Sequence, residues 1–289
     1  MSTIEIREEV LQLRLRGLRL PGFLAHYAAL AERSIAEGWG PIEYLMELVD
    51  VEVAERADRR LKRLLDEAEL PAGKTLKSLE LTRYAPPMRA QIQELCRGQF
   101  LSEATNVCLV GKPGTGKSHV MAAIARSLVE RGSAVFYTTV AALVEKLLAA
   151  KRDLRLAREL KRLDRFECLA LDDIGYVQQD RAEMEVLFTL LAERYERKSV
   201  LITSNLVFSQ WDQIFKDPMT TAAAIDRVVH HAVVLEFPGP SYRAEQAERR
   251  AAANPKEQRA PAAVVHEGAR VPARPSAGQA ALRLRRREG

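Results

Sequence analysis

The sequence predicts an α/β fold with a mostly parallel sheet, preceded by a small all-helical domain. Two observations lead to this prediction. From residue 104 onward, short apolar runs alternate with longer segments that carry apolar residues at helical spacing, and such alternation is typical of βαβ units. Before residue 72, apolar residues recur at helical spacing without a strand-like run. Residues 73–103 are interpreted as a connector between the two parts.

The N-terminal domain, residues 1–72, is predicted to consist of three helices. These are expected at residues 5–15, 23–37 and 42–68. A Pro-Gly pair and a Gly-Trp-Gly-Pro run separate them, because glycine and proline interrupt regular structure. The third helix turns basic in its second half, at Arg59, Arg60, Lys62 and Arg63. This cluster is interpreted either as a contact for DNA phosphates or as ordinary solvated charge.

The second domain, residues 104–243, is predicted to hold five strands and four helices. The strands are expected at residues 106–110, 134–138, 166–171, 199–203 and 233–237. The helices are expected at residues 117–131, 140–162, 181–197 and 220–230. In a parallel sheet of this kind, ligands bind beyond the carboxyl ends of the strands.

A phosphate-binding loop follows the first of these strands. The stretch VCLVGKPGTGKSH (107–119) meets the pattern G-x-x-x-x-G-K-[ST], with a strand before it and a helix after it. Glycines allow backbone N–H groups to curl around a phosphate chain, and the helix N-terminus adds its positive dipole end. A lysine at the end of the loop supplies a charge for the phosphates, and the next hydroxyl can bind Mg²⁺. The predicted nucleotide-binding residues are Gly111, Lys112, Pro113, Gly114, Thr115, Gly116, Lys117, Ser118 and His119, with Ser118 also a metal ligand and no chemistry assigned to His119.

Polar side chains follow two later strands of the same sheet. The run FECLALDD ends in Asp172 and Asp173. A pair of aspartates is common in turns, but beside a complete phosphate loop Asp172 is predicted to position Mg²⁺ and Asp173 to act as general base. The next strand runs into Ser204 and Asn205. Asn205 could hold the attacking water or sense the γ-phosphate, although Thr-Ser-Asn alone is only a turn signal.

These motifs together resemble the AAA+ ATPases of the IstB/DnaC group, and most of all the IstB-type transposition helper ATPases. The matching stretches are GKPGTGKSH (111–119), LALDDIGY (169–176), LITSNL (201–206) and AAIDRVVHHAVVLEFPGPSYR (223–243). The N-terminal stretch LRLRGLRLPGFLAHYAAL also resembles the leading domain of the IstB type, so the similarity covers about residues 10–243. The resemblance implies a P-loop AAA+ domain that binds ATP and Mg²⁺. It further implies a homo-oligomer on double-stranded DNA that recruits a cognate transposase.

The resemblance also implies roles for three side chains outside the loop. It implies that Asn205 is the first sensor, that Arg227 is an arginine finger reaching the γ-phosphate of a neighbouring subunit, and that Arg243 is the second sensor. An arginine supplied across an interface stabilises the charge that develops on the transferring phosphoryl group. Without the resemblance, Arg227 would be interpreted as an exposed charge on a helix.

A second basic segment lies within the predicted ATPase domain. Residues 151–165 hold seven Lys or Arg and three Asp or Glu. The resemblance places the equivalent region of initiator-type ATPases on a DNA-facing surface, while a solvated amphipathic helix is the alternative. No helix-turn-helix or zinc-finger pattern occurs, so binding governed by phosphates with weak sequence selectivity is predicted.

Composition and charge indicate the nature of the C-terminal tail and the cellular compartment. The net charge is +5, and residues 244–289 account for the excess with ten Lys or Arg against five Asp or Glu. This basic tail is poor in large apolar residues and is predicted to be disordered. No apolar run approaches the roughly 20 residues that span a bilayer. The start lacks a signal-peptide pattern, and the three cysteines lie far apart, so a reducing cytoplasm is expected.

Three functions remain open at this stage. The first is an ATP-dependent regulator of transposition, and the second is a DnaC-like replicative helicase loader with the same ATPase motifs. The third is an ATP-gated DNA-binding scaffold with negligible hydrolysis. The resemblance of residues 10–80 to the IstB type favours the first. Intact Lys117, Asp172 and Asp173 argue against the third.

Overall fold

The computed structural model describes residues 3–174, 181–211, 218–230, 232–239, 241–242 and 245. Residues up to 246 form one compact unit. The predicted tail from 244 onward therefore lies outside the described residues, apart from Glu245.

The chain begins with three helices, as predicted. They are α1 (Thr3–Gly17), α2 (Pro21–Glu37) and α3 (Pro41–Glu67). The buried carboxylate of Glu52 on α3 accepts hydrogen bonds from the backbone N–H groups of Gly22 (2.6 Å) and Phe23 (3.3 Å) at the start of α2. Burial acts to raise the pKa of Glu52, but hydrogen bonds from Arg56 and from these two amides outweigh it, so the pKa is lowered. An ionised carboxylate thus joins α2 to α3 at the positive end of the α2 dipole.

The sheet has five parallel strands. They are β1 (Asn106–Gly111), β2 (Val135–Thr139), β3 (Cys168–Asp172), β4 (Ser199–Ser204) and β5 (Ala232–Phe237), in the spatial order β2-β3-β4-β1-β5. Strand β4 therefore lies between β1 and β3, with Val110 opposite Ser204 and Leu171 opposite Ile202. The carboxyl ends of β1, β3 and β4 meet at one edge of the sheet. The predicted α/β fold class is confirmed.

Helices cover both faces of the sheet. They are α4 (Pro86–Leu95), α5 (Lys117–Glu130), α6 (Val140–Arg152), α7 (Leu156–Leu163), α8 (Arg181–Arg194) and α9 (Pro218–Val229). Alternate residues of β1 point to opposite faces, because side chains alternate along a strand. Val107 and Leu109 join a core with α3, α4 and α5, whereas Cys108 and Val110 join a core with α6 to α9.

The structure differs from the sequence-based prediction in the region after β2. The single helix expected at 140–162 is two helices, α6 and α7, with a turn at residues 153–155. Leu154 in this turn has a φ of 56°. Glycine is the usual residue at such a helix end, so the sequence carries no signal for the break. The connector, to which the sequence analysis assigned no element, contains α4.

The three cysteines are free and buried. Burial raises the pKa of Cys108 and of Cys168 to about 12, so neither thiol ionises near neutral pH. None of the helices in the described part of the chain combines the length and apolarity that a bilayer crossing requires.

Candidate nucleotide-binding site

The predicted phosphate loop connects β1 to α5 and depends on glycine at two close approaches. Gly114 has a φ of 81° and Gly116 a φ of 99°, which side chains rarely adopt. A Cβ atom at Gly116 would lie 2.5 Å from the hydroxyl oxygen of Tyr84, and one at Gly114 would collide with Ser241. Glycine therefore lets the loop backbone turn directly before the N-terminus of α5, which is a favourable place for an anion.

Lys117, the first residue of α5, directs its charge into this loop. Its side chain donates from Nζ to the carbonyl oxygens of Gly111 (2.6 Å) and Lys112 (2.9 Å). Only 8% of Lys117 is exposed, whereas Lys112 is exposed to solvent. The ammonium group and the helix dipole thus act on the same point, where a phosphate chain would bind.

Asp172 at the end of β3 is the centre of a hydrogen-bond network. Its Oδ1 accepts from Ser118 Oγ (2.8 Å) and from Thr203 Oγ1 (2.6 Å), and its Oδ2 accepts from the hydroxyl of Tyr137 (2.6 Å). The two predicted metal ligands, Ser118 and Asp172, are therefore adjacent. Their oxygen atoms are the ligand type that Mg²⁺ prefers.

Sequence reasoning missed Tyr137 and Thr203. Each lies on a strand adjacent to β3, and polar residues near the ends of β2 and β4 were the available signal. Burial, followed by the hydrogen bond to Asp172, raises the pKa of Tyr137 far above its usual range. Tyr137 therefore stays protonated and remains a hydrogen-bond donor, so it fixes the orientation of the Asp172 carboxylate.

We expect Tyr137→Phe to increase the Mg²⁺ concentration required for nucleotide binding by roughly tenfold, because groups that orient a metal ligand commonly contribute that much to affinity. Phenylalanine keeps the ring but removes the donor to Asp172. The measurement is a Mg²⁺ titration of the binding of a fluorescent ATP analogue. Tyr44→Phe, whose hydroxyl bonds the carbonyl of Tyr27 in the N-terminal helices, is the matched control. An unchanged titration curve for Tyr137→Phe would show that the hydroxyl does not position Asp172.

The predicted base and first sensor follow β3 and β4. Asp173 has a φ of 69° and donates its backbone N–H to Thr203 Oγ1 at 2.7 Å. Such a backbone costs about 1 kcal/mol or more, and strain of this kind clusters at functional sites. Asn205 comes directly after β4, and its buried Oδ1 has no hydrogen-bond partner among the described residues. Buried acceptors are nearly always satisfied, so this atom is available to a bound group.

Of the two predicted arginines, Arg227 lies far from the loop of its own chain. The backbone of Arg227 on α9 accepts a hydrogen bond from Asn106 Nδ2 (3.3 Å), which lies at the start of β1. With a rise of roughly 3.3 Å per residue, Gly111 at the other end of β1 is about 17 Å away. The guanidinium stacks 4.4 Å from the ring centroid of Phe188. Arg243 lies outside the described residues.

Side chains of the connector reach the loop and were not anticipated. His119 Nε2 lies 3.0 Å from Ser78 Oγ and 3.2 Å from the carbonyl oxygen of Thr75, so this residue joins α5 to the connector. The ring of Tyr84 meets Phe237 edge-on at 5.7 Å. Arg83 pairs with Glu245 (2.7 Å), and the N–H of Tyr242 donates to the carbonyl of Gly114 (2.8 Å). The connector and the segment after β5 thus border the loop.

Solved structures with a similar fold come from replication proteins. DnaA from Aquifex aeolicus, bound to AMPPCP, superimposes with a TM-score of 0.50 over 66% of this chain and 59% of its own, at 17% identity. DnaI superimposes with a TM-score of 0.50 over 59% of this chain and 96% of its own, at 20% identity. At these identities the comparison shows a shared AAA+ fold.

Comparison at the sequence level is more specific. The family described as IstB-like ATP binding protein matches residues 13–251. An insertion sequence ATP-binding protein of Sinorhizobium fredii is 43% identical over 84% of this chain and 82% of its own length. The IS21 insertion sequence ATP-binding protein of Pseudomonas aeruginosa is 33% identical over 82% of this chain and 89% of its own. The chain therefore belongs to the IstB-like ATP-binding protein family, as its sequence motifs predicted.

Proposed function

We propose that this chain is an ATP-hydrolysing regulator of transposition that assembles on double-stranded DNA and recruits or activates a partner transposase. The observation that carries the proposal is the contact between Ser118 and Asp172 directly beside the Lys117 ammonium. It assembles the parts of a nucleoside-triphosphate site from two separate segments of sequence, around residues 117 and 172. The names of the relatives, which are insertion sequence ATP-binding proteins, support the link to transposition.

The residues present suit ATP and Mg²⁺. Glycine at 114 and 116 lets the loop backbone take the positive φ values of this turn, and Lys117 supplies the charge for the phosphates. Ser118 and Asp172 would hold Mg²⁺, since both present oxygen atoms within one hydrogen-bonded group. When bound, the metal ion neutralises charge on the phosphates.

Hydrolysis is assigned to the residues that follow β3 and β4. Asp173 would accept a proton from the attacking water, and Asn205 would orient that water with its Oδ1, which has no partner among the described residues. Thr203 links the two strands, because its hydroxyl contacts both Asp172 and the amide of Asp173. This contact fixes the base relative to the metal ligand.

We assign Arg227 to the site of a neighbouring subunit. Its distance from Gly111 along β1 prevents it from reaching the phosphates on its own loop. Arg227 as a whole is only partly buried, so part of its side chain is accessible to a neighbouring subunit. A site completed by a neighbour requires a homo-oligomer with head-to-tail interfaces. We assign Arg243 to the second-sensor role by family resemblance alone.

Of the two basic clusters in the sequence, the one around α7 is better suited to DNA. Arg59 on α3 pairs with Glu52 and Glu55, and Arg60 donates to the carbonyl of Gly132. By contrast, five exposed residues around the second cluster have side chains without a hydrogen bond or ion pair to any described residue. We call them the α6–α7 basic patch: Arg152, Arg155, Arg158, Lys161 and Arg165. Most of them line a cleft of about 660 Å³.

Charge reversal tests this assignment. We expect the double variant Arg155→Glu/Arg158→Glu to weaken duplex DNA binding for all sequences. The slope of log affinity against log salt should fall by roughly 1.8, because each lost phosphate contact removes about 0.9. The measurement is fluorescence anisotropy of a labelled duplex at several salt concentrations. Lys62→Glu on α3 is the control and should bind almost as the parent does. Equal slopes for the parent and the double variant would exclude the patch as the DNA surface.

The transposition role is favoured over helicase loading by the extent of the sequence matches. The family match begins at residue 13 and therefore includes the N-terminal helices as well as the ATPase domain. The names of relatives at 33–43% identity refer to insertion sequences. The similarity to DnaI is limited to 59% of this chain. Recruitment of a transposase is tested by mixing the purified chain with a transposase from an insertion sequence of the same type, with and without ATP. Failure to form a complex on DNA would favour the helicase-loader alternative.

A further inference from the structure

The turn between α6 and α7 contains an unusual residue for the end of a helix. The N–H of Arg155 donates to the carbonyl of Ala150 (2.7 Å), and the N–H of Leu154 donates to the carbonyl of Lys151 (3.1 Å). In this pair of bonds, the residue at the position of Leu154 takes a left-handed backbone, which glycine adopts most readily. Here a leucine holds that conformation, with a φ of 56°. Leu154 therefore has a strained backbone at a position where glycine would have no strain.

Packing within the chain does not compensate for this strain. Leu154 is 95% exposed, the highest value among the exposed large hydrophobic residues of the described chain. The other described non-glycine residues with positive φ are small or polar: Arg19, Glu69, Ala104, Asp173 and Glu196. A strained leucine that buries no surface in its own chain indicates a role outside it.

The surroundings of Leu154 indicate the chemistry of what it contacts. Its direct neighbours in the sequence are Asp153 and Arg155, with Arg152 before them, and the rest of the α6–α7 basic patch continues along α7. Five basic side chains without an ion pair to any described residue, next to one exposed leucine, fit a polyanionic partner. Duplex DNA fits both features, because proteins that kink it insert one apolar side chain between base pairs while basic residues hold the adjacent phosphates.

We propose that Leu154 is a wedge that inserts between neighbouring base pairs of duplex DNA and kinks it. The inference rests on the proposed function, because it requires the α6–α7 basic patch to face DNA. Side chains used in this way bend the duplex by about 20–90°. The wedge reads no base edges, but pyrimidine–purine steps such as TA unstack most easily, so insertion should favour those steps. A weak preference for flexible target sequences follows.

The test uses Leu154→Gly in the full-length chain. Glycine adopts a φ of 56° without strain, so the variant should keep the turn and be at least as heat-stable as the parent. The DNA is a duplex with 2-aminopurine at a central TA step and fluorophores at its ends, in the presence of ATP. The parent should raise 2-aminopurine fluorescence and increase energy transfer between the ends. Leu154→Gly should lose both signals, while its affinity falls by no more than roughly tenfold, since phosphate contacts supply most of it.

Two further variants make the result specific. Glu69, after the end of α3, also has a positive φ. Glu69→Gly relieves backbone strain at a different place, so this variant should distort DNA as the parent does. Leu154→Phe should restore or increase unstacking, because a larger ring still forms a wedge. If the parent fails to bind duplex DNA, the DNA part of the proposed function fails and the wedge fails with it. If the parent binds but Leu154→Gly gives equal unstacking and bending, the DNA-binding proposal stands, the wedge is wrong, and Leu154 is assigned to a protein contact instead.

Discussion

Replacing Lys117 by alanine is expected to weaken ATP binding by at least about 100-fold, because the ammonium makes charge-assisted hydrogen bonds worth up to about 3 kcal/mol each. The Nζ of Lys117 is held against two loop carbonyls, and the residue is almost fully buried. Water that enters after the substitution cannot supply the lost positive charge. The measurement is a titration with a fluorescent ATP analogue in the presence of Mg²⁺. Thermal unfolding of the same sample checks that the fold is intact.

The loop supplies its own matched control in Lys112. This residue lies five positions before Lys117 in the same loop, but its side chain is exposed. Lys112→Ala should therefore bind the analogue within a few-fold of the parent, in the range expected for surface charges. If both variants lose affinity equally, the loss reflects the general charge of the loop and not a specific phosphate contact. Parental affinity in Lys117→Ala would show that the loop does not bind a triphosphate.

Local patterns explain why so much of the ATPase domain could be predicted from the sequence. The five strands are short apolar runs, and the phosphate loop is a contiguous motif, so neither depends on knowledge of distant contacts. Asp172 and Asn205 could be placed because parallel strands end at a common edge. The order of the strands then brought Ser118 and Asp172 together, which the sequence had predicted from their chemistry.

The missed features depend on contacts between distant parts of the chain or on a residue in an unusual conformation. Tyr137 is 35 residues from Asp172, and its role depends on β2 lying beside β3. The contact of His119 with the connector spans 41 residues and has no motif. The break between α6 and α7 was hidden because Leu154 holds a backbone conformation that normally signals itself through glycine. The distance between Arg227 and Gly111 likewise could not be predicted, because it depends on the contact of Arg227 with Asn106 at the start of β1.

Replacing Arg227 by alanine is expected to lower ATP turnover on DNA by about 10³-fold or more while leaving ATP binding nearly intact, as for other arginines supplied across an interface. The reason is geometric, since Arg227 cannot reach its own loop and would act only at a junction between subunits. Turnover per subunit of the parent should also rise with protein concentration and with DNA, which gathers subunits on one track. Asp173→Asn should lose turnover as well, because it keeps the size of the side chain but removes the base.

Mixing these two variants measures the central claim directly. Each junction takes Asp173 from one subunit and Arg227 from its neighbour, so an Arg227→Ala subunit beside an Asp173→Asn subunit forms a complete site in one of the two possible orders. In a random equal mixture on DNA, about a quarter of head-to-tail junctions are complete. ATP turnover should therefore recover to about a quarter of the parent value, although each variant alone is inactive. No recovery, together with a parental turnover per subunit that is independent of concentration, would mean that each subunit hydrolyses ATP alone.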